Sequence, residues 1–133
     1  MSNTVRAALT LLRAGTAAIL FVHGVARARL GIVDDFGRVL DGWGFPAGLV
    51  LAWTITLVEI AGGAALAAGL FVRPLTVWFA VQLAAGIHLV HAPAGWFVVG
   101  AGRNGMEFSV QLILCLLVIA MTAPAQYGLG RRR

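Results

Sequence analysis

The apolar residues of this chain gather into four long runs, separated by short polar or glycine-rich stretches. The runs cover about residues 7–25, 47–72, 75–91 and 106–123. A helix needs roughly 20 apolar residues to cross the hydrocarbon core of a bilayer, and each run approaches that length. The pattern therefore predicts an all-α protein that forms a transmembrane four-helix bundle.

The longest connection between runs has a helical pattern of its own. Its apolar residues recur at helical spacing, whereas three aspartates and an arginine occupy the opposite side. This pattern predicts a short amphipathic helix over about residues 32–42, lying in the membrane interface between spans one and two. The apolar positions that define this face are Ile32, Phe36, Val39, Leu40 and Trp43.

Spans two and three are joined by a very short connection. Gly69 suits the end of a helix, and Pro74 suits the first turn of the next helix, where a missing N–H costs nothing. The two spans are therefore expected to form an antiparallel helical hairpin.

The composition agrees with lipid as the solvent. Hydrophobic residues make up 60% of the chain and charged residues only 11%, whereas an ordinary soluble domain is about 25% charged. The 133 residues allow one domain, residues 1–133. The basic residues are all arginines that stand singly between apolar runs, except for Arg131–Arg133, so no nucleic-acid partner is expected. The single cysteine, Cys115, permits no disulfide within the chain.

The distribution of the arginines also predicts how the chain is oriented in the membrane. The side that holds both termini carries Arg6, Arg73 and Arg131–Arg133, and the other side carries four arginines. This excess predicts a multi-pass protein of the cell membrane with cytoplasmic N and C termini. In the alternative interpretation, residues 26–28 (Ala-Arg-Ala) are a signal-peptide cleavage site and only three spans remain.

Two charged residues lie deep within apolar runs, Arg13 in span one and Glu59 in span two. Each is 12 residues from the end of its span at the same surface, a depth of about 18 Å in a helix. An isolated charge at mid-membrane costs roughly 2.5–3.5 kcal/mol, which favours a pair that faces the bundle interior. Either the pair fixes the register of the helices, or Glu59 exchanges a proton during turnover.

A second polar group is expected near the outer surface. His23 ends span one, His88 and His91 end span three at i and i+3 on one helix face, and Glu107 opens span four. Such a pocket could bind a quinone carbonyl, relay protons, or form a hydrogen-bonded network without a ligand. A metal is not favoured, because two histidines at this spacing are unspecific and a third ligand would have to come from another helix.

Taken in order along the chain, these landmarks resemble the DoxX family of small four-helix membrane proteins. One departure is Arg27, where the family often has a lysine. The resemblance implies a membrane-embedded bundle with links to quinone-coupled redox chemistry. The residues that match the family pattern are Arg13, His23, Glu59, Arg73, His88 and Glu107.

The leading hypothesis is an integral membrane subunit of a quinone-linked oxidoreductase, which depends on a partner and is not a complete enzyme alone. Its expected cofactor is a quinone, with no haem or metal, and its expected partners are the lipid bilayer and a redox protein or further copies of the chain. The alternative is a non-catalytic membrane anchor or assembly subunit. The hypothesis assigns chemistry to Glu59, His88 and Glu107, and cofactor binding to His23, His88, His91 and Arg13.

Overall fold

A computed structural model describes the backbone of residues 1–126 and the side chains of residues 1–123. The predicted orientation depends in part on Arg131–Arg133, which lie outside the described residues. No strand occurs among residues 1–126, so the prediction of an all-α protein is confirmed. The helices are α1 (Asn3–Arg29), α2 (Val33–Gly42), α3 (Gly48–Ala68), α4 (Val72–Gly86), a π-helical turn (Ile87–His91), α5 (Ala92–Ala94) and α6 (Glu107–Gln126).

Three helical stretches are long and apolar enough to cross a membrane: Asn3–Arg29, Gly48–Ala68 and Val72–Ala94. The apolar part of α6, Glu107–Ala123, is shorter, and it corresponds to the fourth predicted span. The first stretch runs four residues beyond the predicted end at residue 25 and stops before Gly31, whose φ of 67° leaves the helical region. Arg27 therefore belongs to α1 and not to the following loop.

The helices form two compact units. One consists of residues 17–70, which are the second half of α1, all of α2 and all of α3. In this unit Val33, Leu40 and Ala52 form a buried apolar cluster, against which Phe36, Leu51 and Ile55 pack. The amphipathic helix is thus part of a folded unit with α3.

Part of the apolar face predicted for α2 packs on α3, since Leu40 is buried and Phe36 packs against the apolar cluster. Val33, Gly37 and Leu40 are buried, whereas the predicted Ile32, Val39 and Trp43 are 44%, 45% and 40% exposed. The reason lies in a close approach of the two helices, because a Cβ atom at Gly37 would lie only 2.8 Å from the Cα of Leu49. The contact is centred on this glycine and not on the largest apolar side chains.

The predicted short connection between spans two and three is confirmed. Gly69, with a φ of 83°, ends α3, and α4 begins at Val72, which places Pro74 in the first turn. The antiparallel packing of the two spans stays a prediction.

The other unit consists of residues 1–16 and 71–126 of the described chain. Here α4 packs against α6, which buries Phe79 on α4 and Leu112, Leu116 and Ile119 on α6. The three α6 residues recur at i, i+4 and i+7 and therefore share one face of the helix. Beyond α5, a loop of twelve residues leads to Glu107, the first residue of α6.

Candidate functional site

A buried ion pair joins α1 to α3 within the unit of residues 17–70. Nη1 of Arg27 donates to Oε2 of Glu59 at 2.7 Å, and Nη2 lies 3.5 Å from Oε1. The Glu59 side chain is 4% exposed and that of Arg27 is 18% exposed. Because both ends of the guanidinium fork meet the carboxylate, the pair has a fixed geometry as well as a Coulombic attraction.

A threonine from the same helix completes the polar contacts of the pair. Nη1 of Arg27 also donates to Oγ1 of Thr56 at 3.1 Å, and this hydroxyl donates in turn to the carbonyl oxygen of Ala52 at 2.7 Å. Thr56 and Glu59 are three residues apart on α3, so both side chains lie on the face that receives the arginine. The hydroxyl is thereby fixed as an acceptor for the guanidinium.

The aromatic ring of Phe36 covers the guanidinium from α2. The Cζ atom of Arg27 lies 4.8 Å from the centre of this ring, within the range of a cation–π contact. The amphipathic helix is therefore attached directly to the buried charges. We call Arg27, Phe36, Thr56 and Glu59 the Arg27 cluster.

A glycine on α1 allows the two helices to approach closely enough for these contacts. A Cβ atom at Gly24 would lie 2.8 Å from the Cβ of Glu59 and 2.9 Å from the carbonyl oxygen of Thr56. One turn earlier, Phe21 lies against Gly63 in the same way, which shows that α1 and α3 run antiparallel here. Small residues at such crossings are typical of helices packed in membranes.

Arg27 was not predicted as the partner of Glu59. The fall in hydropathy at the arginines placed Arg27 in the loop, whereas the helix continues to Arg29. The signal was present in the sequence, since Gly24 and Arg27 are three residues apart and lie on one face of an uninterrupted helix. The predicted pairing of Glu59 with Arg13, which is itself buried on α1, stays a prediction.

His91 and Glu107, two of the predicted pocket residues, bind the loop that precedes α6. Nδ1 of His91 donates to the carbonyl oxygen of Asn104 at 2.8 Å, and Oε1 of Glu107 accepts from the backbone N–H of Val98 at 2.9 Å. Backbone bonds close the same loop, among them Gly105 N–H to the carbonyl oxygen of Phe97 at 3.0 Å. These two side chains therefore bind the loop at two points, at Asn104 and at Val98.

The remaining predicted histidines are exposed. His88 lies at the start of the π-helical turn and His23 on the outer side of α1. The expectation that His88 and His91 share one helix face assumed an α-helical turn, whereas residues 87–91 form a wider π-helical turn, and the shared face stays a prediction. His91 is half-buried where His88 is exposed. The convergence of His23 with the other pocket residues stays a prediction.

Within the described part of the chain, no three histidine, cysteine, aspartate or glutamate side chains are grouped so that they could hold a metal ion. The polar groups that the structure brings together are hydrogen-bond donors and a carboxylate. This donor set is suited to a carbonyl oxygen or to proton transfer.

Comparisons with known proteins found a matching family model and a related protein. The family model described as DoxX matches residues 8–92, which include all of the Arg27 cluster. A Bacillus subtilis (strain 168) protein named "Putative oxidoreductase CatD" is 29% identical over 124 residues, which are 92% of this chain and 84% of that protein. No solved structure matches the chain. The residue Glu107 lies beyond the range of the family match.

Proposed function

The chain belongs to the DoxX family, and from this premise we propose that it is an integral membrane subunit of a quinone-linked oxidoreductase system. The name of the Bacillus relative supports the association with an oxidoreductase. The apolar helices make the chain a multi-pass membrane protein. In the proposal, both termini are cytoplasmic, the membrane is the cell membrane, and a partner protein supplies the electrons.

The observation that carries the proposal is the buried Arg27 cluster between membrane-length helices. Ionisable residues in such helices are costly, and they commonly mark ligand sites and proton pathways. The arginine supplies N–H donors for a carbonyl oxygen, and the ring of Phe36 supplies an apolar surface for a planar headgroup. The residues present therefore fit a quinone.

A bound quinone supplies a redox couple that takes up two electrons and two protons. In the proposal Glu59 holds one of these protons, and Arg27 keeps the carboxylate oriented as it gains and loses that proton. His88 and Glu107 are the further proton-carrying groups of the hypothesis, and His23, His91 and Arg13 are its further headgroup contacts. The ring of His91 would contact the headgroup through Nε2, because Nδ1 already donates to the carbonyl oxygen of Asn104.

The test is the quinone content of the purified protein. The full chain is extracted in mild detergent, and the quinone that co-purifies is quantified per chain after solvent extraction. We expect a near-stoichiometric amount in the wild type and a loss of most of it in Glu59→Gln. Asp35→Asn is the matched control, because Asp35 pairs with Arg38 on the exposed side of α2. A wild-type chain that carries no quinone and takes up none when it is added would refute the proposal.

A second candidate function is that of a non-catalytic membrane anchor. It is favoured by the loop contacts of His91 and Glu107, which a structural role explains without a ligand. The two candidates differ in what Glu107→Gln does in membranes. A lower amount of folded protein with normal turnover per molecule supports the anchor, and normal protein with lower quinone-dependent turnover supports the redox subunit.

A further inference from the structure

The guanidinium of Arg27 has hydrogen-bonding capacity that the protein does not use. Three of its five N–H groups donate hydrogen bonds. The two on Nη1 donate to Glu59 and Thr56, and one on Nη2 donates to Glu59. Among the side chains that the structure describes, residues 1–123, none accepts a hydrogen bond from Nε or from the second hydrogen of Nη2. These two groups lie side by side on one edge of the guanidinium plane, which we call the outer edge.

This edge belongs to the more accessible member of the pair. The Arg27 side chain is 18% exposed, against 4% for Glu59. Arg27 also lies in the last turn of α1, three residues before the apolar exposed Leu30, so the edge is near the end of a membrane-length helix. A ligand with an apolar tail can therefore present its headgroup here while the tail stays in the lipid.

The charge of the cluster selects the kind of headgroup. The carboxylate of Glu59 already balances the positive charge of Arg27 at 2.7 Å. An anionic headgroup on the outer edge of the guanidinium would add a second negative charge near this buried carboxylate, which is repulsive in a poorly polarisable surrounding. A neutral carbonyl oxygen accepts the same hydrogen bonds without that repulsion.

The orientation of the outer edge is fixed before a ligand arrives. Phe36 covers one face of the guanidinium, and Thr56 and Glu59 hold its inner edge. The residue next to Phe36, Gly37, is in backbone contact with α3, so the ring has little freedom to withdraw. A donor held in this way binds an acceptor with a small loss of conformational entropy.

We propose that Arg27 is the headgroup-binding residue of this protein, and that its outer edge donates to a neutral carbonyl oxygen of a lipid-soluble ligand in preference to an anionic one. The inference rests on the proposed function, which it makes more specific. It also assigns a role to Arg27, the position at which the sequence departs from the family pattern.

The test compares two ligands and two matched arginines. The full chain in phosphatidylcholine nanodiscs is titrated with decylubiquinone, a neutral carbonyl ligand, and with dodecyl phosphate, an anionic one, and binding to empty nanodiscs is subtracted. Arg27→Lys keeps a positive charge beside Glu59 and loses the outer edge of the fork. Arg29→Lys, on the exposed end of the same helix, is the control.

We expect the wild type and Arg29→Lys to bind decylubiquinone equally, and Arg27→Lys to bind it about tenfold or more weakly, since one charge-assisted hydrogen bond is lost. Dodecyl phosphate is expected to bind weakly to all three. Should Arg27→Lys fail to fold, the ¹⁵N spectrum of the wild type decides: the Nε–H signal of Arg27 shifts on addition of decylubiquinone and not of dodecyl phosphate.

The outcomes separate the two proposals. Equal decylubiquinone binding by the wild type and Arg27→Lys overturns the role of Arg27 and leaves the quinone-linked function standing. Preferential binding of dodecyl phosphate that is lost in Arg27→Lys overturns the neutral class of ligand. A wild type that binds no decylubiquinone overturns both this inference and the proposed function.

Discussion

Removing one member of the Arg27–Glu59 pair is expected to destabilise the unit of residues 17–70, and removing both is expected to restore much of the loss. Truncating one partner of a buried ion pair costs about 3–5 kcal/mol, because the other charge stays in a poorly solvating environment. The 18% exposure of Arg27 allows its head partial access to polar surroundings, so we expect Glu59→Leu to cost about 3 kcal/mol. Arg27→Met isolates the more deeply buried carboxylate from its arginine and is expected to cost about 4 kcal/mol.

The double variant Arg27→Met/Glu59→Leu replaces both charges with apolar side chains of similar volume. Such replacements are often neutral or stabilising, so the double variant is expected to lie within about 2 kcal/mol of the wild type. The coupling energy of the cycle is then at least about 5 kcal/mol. The free energy of unfolding of all four proteins would be measured in detergent micelles by titration with a denaturant.

The exposed pair of Arg38 and Asp35 on α2 provides the matched control cycle. Its side chains are 73% and 63% exposed, and pairs of this kind contribute about 0.2–1 kcal/mol. A coupling energy for Arg27 and Glu59 no larger than that of the control would refute the view that burial makes this pair important to the fold.

Two further predictions concern close packing and the loop before α6. Gly24→Ala is expected to lower the midpoint of thermal unfolding by an amount equivalent to about 1–3 kcal/mol, because the added methyl group has no room. Gly15→Ala is the control, since its methyl group meets open space and the midpoint is expected to rise or stay unchanged. Equal effects at the two sites would contradict this packing. Glu107→Ala is expected to speed amide hydrogen exchange at Val98, measured by mass spectrometry, because the carboxylate is the acceptor of that N–H; unchanged exchange would show that the bond does not hold the loop.

Hydropathy was sufficient to predict the helices of this protein but not their ends. The apolar runs predicted four spans and the amphipathic α2, and the structure has three membrane-length helices, a shorter fourth apolar helix and α2. The end of α1 depends instead on the backbone at Gly31, so the run of arginines that follows the apolar stretch was assigned to a loop. The interior position of Glu59 was therefore predictable from its depth in an apolar run, whereas Arg27 is recognised as its partner once α1 is known to continue to Arg29.

Local backbone geometry also limited the prediction of side-chain directions. The spacing of His88 and His91 was interpreted with α-helical turns, whereas residues 87–91 form a π-helical turn. The burial of Gly37 on α2 was not predicted either, because hydrophobic periodicity gives weight only to large side chains, whereas helices approach each other closely at small residues. Both points concern local geometry and not whether a helix is present.

The contact of Phe36 with Arg27 links a surface feature of the chain to its buried carboxylate. The ring belongs to α2, whose exposed side carries Ile32, Val39 and Trp43, side chains that suit the interface of a bilayer. The ring of Phe36 and the carboxylate of Glu59 contact the same guanidinium, so Arg27 joins α2 to α3 as well as to its own helix. The amphipathic helix therefore supplies a contact to the polar cluster and is more than a connection between two spans.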